Sequence, residues 1–112
     1  MKLLDLALIA TANPYGFTVN AETLEPVTAG FAVAVKATQD SFGQEGLQKV
    51  IDYAETNGIP AIGGWLNDAN GKFYYDATIV VDTYAEALAL ARENEQLAFF
   101  DLNACEEIRL DY

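Results

Sequence analysis

Residues 59–81 read IPAIGGWLNDANGKFYYDATIVV, two apolar runs separated by Asn67-Asp68-Ala69-Asn70-Gly71. Ile59 to Leu66 is a short run carrying Gly63-Gly64-Trp65. Lys72 to Val81 is longer and rich in aromatic and β-branched side chains, which fit a pleated, half-buried surface. The polar cluster between them ends in Asn70-Gly71, a pair that turns tightly because both residues tolerate the left-handed backbone. The stretch therefore predicts a β-hairpin. In the second strand the period of two places Tyr74, Asp76 and Thr78 on one face.

A helix is expected on each side of this hairpin. Ahead of it, Leu47, Val50, Ile51 and Ala54 recur at helical spacing, and Asn57-Gly58 supplies the stop, so the helix runs from about Gly43 to Asn57. Ser41 with Gln44 fits a reciprocal cap at its start. Behind the hairpin, Thr83 and Glu86 form a second capping pair, with Tyr84, Ala87, Leu88 and Ala91 on one face and an end near Asn94.

Further out, Gly30 to Val35 and Leu97 to Leu102 read as strands. Tyr15 to Val19 is another, expected to pair with the first as a hairpin, and Glu106 to Leu110 reads as a charged edge strand. The opening residues, Met1 to Ala12, form a first strand or short helix; Asp5 interrupts an otherwise signal-like apolar run. From Gly30 to Leu102 the order is strand, helix, strand, strand, helix, strand. This is the split βαβ order of ferredoxin-like folds. The expected architecture is thus α+β: one mainly antiparallel sheet, two helices on one face, and extra strands at both ends. Residues 1–112 fit a single domain.

Composition bounds the function. Seventeen acids against six bases and no His leave a net charge of −11. The six cations are scattered, which disfavours nucleic acid and anionic lipid as direct partners. An acidic surface suits a basic protein partner, or keeps the domain soluble. Cys105 is the only cysteine. It can form no internal disulfide, has only Arg109 as a nearby cation, and reads as a small semi-buried residue of a cytoplasmic protein.

Catalytic and metal chemistry find little material. Histidine, the usual partner of a nucleophile, is missing, and Ser41, the only serine, is assigned to capping. Zinc, iron and copper sites need His and Cys clusters. Asp68-Ala69-Asn70-Gly71 resembles part of a calcium loop, but the alignment puts Leu66 and Ala77 where acids are required. No cofactor and no metal are expected. Asp76 and Asp101 could act as a carboxylate pair, but as strand acids they are more simply satisfied by backbone donors. Gly63-Gly64 suggests a bulge or a close backbone approach.

Two interaction surfaces follow. Trp65, Tyr74 and Asp76 lie on the hairpin, where aromatics on the face away from the helices would form a contact patch or a homodimer interface. Asp52 and Glu55 on the first helix, with Asp82, Glu86 and Glu93 on the second, could form one negative surface.

Through Gly63-Gly64-Trp65, Gly71 to Asp76 and Gln96 to Leu102, the chain resembles small proteins encoded by bacteria, their phages and mobile elements. That group brings no known activity, cofactor or site residue. The resemblance implies a bacterial or phage cytoplasmic origin. The leading expectation is a non-enzymatic protein-interaction domain. One sharper version is inhibition of a nucleic-acid-binding defence protein through acids that stand in for phosphates. The rival reading is a small-molecule-binding or catalytic ferredoxin-like domain with a cavity into which Asp76, Tyr74 or Trp65 converges.

Overall fold

A computed structural model describes residues 2–111. Helix α1 spans Lys2–Ala12 and strand β1 Gly16–Asn20; β2 (Phe31–Ala34) and the two-residue β3 (Ser41–Phe42) follow. Helix α2 (Gly43–Asn57) leads into the hairpin β4 (Ala61–Asn67) and β5 (Lys72–Val81). Helix α3 (Tyr84–Glu93), β6 (Ala98–Asp101) and β7 (Glu106–Arg109) complete the chain. Among the described residues the fold is α+β, with three α-helices and one antiparallel sheet of seven strands. The sheet order is β1-β4-β5-β2-β6-β7, with β3 joined to β5 beside β2.

The hairpin forms as its turn chemistry dictates. Gly71 N–H donates to the Asn67 carbonyl at 2.8 Å, and the side chains of Asn67 and Asn70 each accept a backbone N–H two residues on. Pairing runs without a break from Asn67↔Lys72 to Ala61↔Thr78. Gly63-Gly64 is therefore a close approach and no bulge. A Cβ on Gly64 would stand 2.4 Å from Phe17 Cε2 and 2.6 Å from Phe73 Cε2, so the missing side chain makes room for two stacked rings.

The helices cover one face. Tyr75 and Ala77 of β5 are buried with Leu47, Val50, Ile51 and Ala54 of α2, Leu6 of α1, Val19 of β1 and Ile62 of β4. A second cluster gathers Val33 and Phe99 against Ala87 and Ala91 of α3, with Val81 packed on it. Burying the Leu, Val, Ile and Phe side chains among them contributes about 1.5–3 kcal/mol each. Because Tyr75, Ala77, Ile79 and Val81 alternate onto the same side of β5, both clusters lie on one face of the sheet.

Three expectations are corrected. β1 and β2 do not pair with each other: β1 pairs with β4, and β2 lies between β5 and β6. Val19 belongs to the cluster under α2 and Val33 to the cluster under α3, so burial separates the two strands. Ser41 does not cap α2. It is a buried β3 residue opposite Tyr75 and donates to the Thr38 carbonyl at 2.7 Å, while Phe42 holds the cap position. Cys105 is exposed, in the turn between β6 and β7, rather than semi-buried.

The remaining helix signals hold. Gly58 closes α2 at φ 63°, a conformation that costs glycine no Cβ clash. Thr83 Oγ1 accepts from Glu86 N–H at 3.2 Å and donates to Glu86 Oε1 at 2.8 Å. No helix among the described residues is long and apolar enough to cross a membrane.

Candidate functional site

The face away from the helices is closed at its centre, where Ala61, Thr78 and Ala32 are buried. Toward the hairpin turn it opens onto a row of rings. Register puts Trp65 and Phe42 on either side of Tyr74, across β4, β5 and β3. Trp65 and Tyr74 stack at 5.1 Å between centroids and 22° between planes, and Phe42 lies 5.7 Å from Tyr74 at 55°. The flanking rings keep 43 % (Trp65) and 45 % (Phe42) of their surface exposed. Such stacked pairs contribute about 0.5–1.5 kcal/mol beyond area burial, so the row is ordered as well as accessible.

Polar groups fix the row at both ends. Asn70 Nδ2 donates to Tyr74 Oη at 2.8 Å, and Lys72 Nζ sits 4.2 Å above the centre of the Phe42 ring. At the other side Trp65 Nε1 donates to Asp76 Oδ2 at 3.1 Å. Asp76 is half-buried, and its environment is contested. Burial raises its carboxyl, the indole hydrogen bond lowers it, and the Asp40 charge raises it again, so that it is pushed up to about 7. Burial dominates because the charged form gives up more hydration than one N–H restores.

The structure thus brings together Trp65, Tyr74 and Asp76. It adds Phe42, Asp40 and Lys72, which sequence reasoning did not assign to the site. β3 is too short to show a period, whereas the Trp65↔Tyr74 pairing could be counted outward from the turn.

The helix acids are not gathered in the same way. Asp52 accepts from Gln48 Nε2, Glu55 lies 3.7 Å from Lys2 Nζ, and Glu86 is engaged in its cap. Asp82 is exposed just before α3, and Glu93 borders a groove between α2 and α3 lined by Tyr53, Ile59, Ile79 and Leu90. Asp101 stands apart from Asp76, because β2 separates their strands. Its carboxylate accepts the N–H groups of Asn103 and Ala104, a turn-forming role. Among the described residues no group of three or more His, Cys, Asp or Glu is placed to hold a metal ion.

No protein-family model, no curated protein and no solved structure matches the chain. The site itself is the basis for a functional reading.

Proposed function

We propose that the chain is a non-enzymatic protein-interaction domain that docks a partner on the ring row of Trp65, Tyr74 and Phe42. The observation that supports this is an ordered aromatic row left exposed on the sheet face that the helices do not cover. Tryptophan and tyrosine are the residues on which binding energy concentrates, because they bury much area at little entropic cost. The partner is a basic protein of the same cytoplasm, and a second copy of the chain is the alternative occupant. The unit β2-α2-β4-β5-α3-β6 is proposed to be a ferredoxin-like split core, supported by its strand order β4-β5-β2-β6.

The test is affinity capture with three baits: the native chain, Trp65→Ala with Phe42→Ala, and Asp52→Asn with Glu93→Gln. Loss of a stoichiometric partner in the ring variant alone supports the reading. Loss in the helix-acid variant alone overturns it in favour of the phosphate-mimicking surface. Sedimentation of the native chain separates self-association from a foreign partner.

A further inference from the structure

The ring row ends beside a carboxylate oxygen to which no described residue donates a hydrogen bond. Asp76 Oδ2 is held by the Trp65 indole, while Oδ1 accepts no hydrogen bond from the described residues and is not sealed from solvent. The charged and titratable groups around it leave a cation wanting. Asp40, held at φ 62° in the turn before β3, adds negative charge. β5 contributes Tyr74 and Lys72, but Lys72 is placed over the Phe42 ring. β4 presents Trp65 and Gly63 here, and β1 presents Thr18 and Gly16, none of them a cation. Lys36, the nearest base in sequence to Asp40, is paired with Glu95.

Two features say which cation fits. Gly16 lies opposite Trp65 on β1, so no directly facing β1 side chain covers the indole, which stays 43 % exposed. Lys72 over Phe42 shows the row taking a cation on a ring face at its far end. A flat guanidinium stacks on an indole and donates to a carboxylate in its own plane, whereas an ammonium is a point charge without that fork. We propose that the exposed indole of Trp65 and Oδ1 of Asp76 form a site for an arginine side chain of the protein partner. The assignment rests on the interaction reading above and names the partner's anchor. It also makes docking pH-dependent. Arginine pairs with the ionised carboxylate, so binding displaces the proton that Asp76 carries below about pH 7.

The chain has one tryptophan, so a single indole N–H resonance reports on the site. The probe is acetyl-Gly-Arg-Gly-amide, with the citrulline peptide as a neutral match, in about 0.15 M salt to screen the overall charge. The arginine peptide is expected to shift the indole resonance saturably, roughly thirty-fold more weakly near pH 5.5 than near pH 8. The citrulline peptide should leave it unmoved. Near pH 8, Asp76→Asn should weaken arginine binding at least about thirty-fold and abolish the pH dependence, while Glu93→Gln, which removes the same charge elsewhere, should bind as the native chain does. Equal binding of citrulline, undiminished binding by Asp76→Asn, or no saturable response overturns the arginine site. If arginine fails while the ring variant still loses its captured partner, the interaction face stands and only the anchor falls.

Discussion

Trp65 and Asp76 are joined diagonally across β4 and β5, the indole Nε1–H donating to Oδ2 at 3.1 Å from two register positions away. Asp76 faces Gly63 directly, so the indole of the next same-face residue leans over the gap. The hydrogen bond favours the ionised carboxylate, yet burial and Asp40 outweigh it. The consequences are measurable in stability as well as in binding.

Asp76 should make the domain less stable as pH rises. Its folded-state pKa, about 7, lies above the unfolded value of about 3.9. The stability it contributes is therefore fully present below about pH 4 and is lost as pH rises through about 7. Asp76→Asn cannot ionise and should gain on the native chain across that window, by about 1–3 kcal/mol once partial solvation is allowed for. Urea denaturation of both proteins near pH 5 and near pH 8 checks this; a constant difference between them would show that burial does not control the group.

Thr38 is a structural linchpin of the β3 crossing. It is fully buried, and its Oγ1 accepts the Ala77 N–H at 3.0 Å, a backbone donor of β5 left over where β2 has ended. Thr38→Val keeps the shape but strands that donor. An unsatisfied buried N–H costs about 1–3 kcal/mol, and the variant should lose that much stability. A denaturation midpoint equal to that of the native chain would refute the assignment.

Gly46→Ala should destabilise, against the usual sign. Within a helix the change ordinarily gains up to about 1 kcal/mol. Here a Cβ would stand 2.7 Å from the backbone carbonyl carbon of Ser41, and backbone in a paired strand cannot give way. Overpacking of this kind costs about 1–3 kcal/mol. A thermal midpoint lowered by several degrees is expected for a domain of this size; a raised one would show that β3 is free to move off α2.

What sequence reasoning reached, and missed, follows from the range of the forces involved. Residues 72–81 were legible because the Asn67 to Gly71 turn is local chemistry and the alternation of Phe73, Tyr75, Ala77 and Ile79 is unbroken. The helix Gly43–Asn57 was legible for the same reason, its period and its Gly58 stop both lying within a few residues. The partner of β1 was not. Strands 16–20 and 31–34 are close in sequence, and only the division of the core between α2 and α3 sends them to different neighbours. Ser41 misled because a hydroxyl before a helix reads as a cap, whereas burial in β3 turns it toward Thr38. At the site, Tyr74 and Asp76 on one face followed from the period of two. Phe42 and Asp40 come from a crossing that carries no pattern, so their place beside Tyr74 and Asp76 required the tertiary structure.

The opposing influences on Asp76 can be separated one at a time. Trp65→Phe keeps an aromatic ring in the row but removes the N–H that lowers the Asp76 pKa, so the carboxyl should titrate above about 7. Asp40→Asn removes the charge that raises it, so the carboxyl should titrate below that value. Carbon-13 NMR of the aspartate carboxyl groups, with the Asp76 signal identified by its loss in Asp76→Asn, reads both shifts directly. Movement in opposite directions from the native midpoint is the expected result. Movement in the same direction would mean that the substitutions act by opening the site to water, since added hydration lowers a buried carboxyl whichever neighbour is removed.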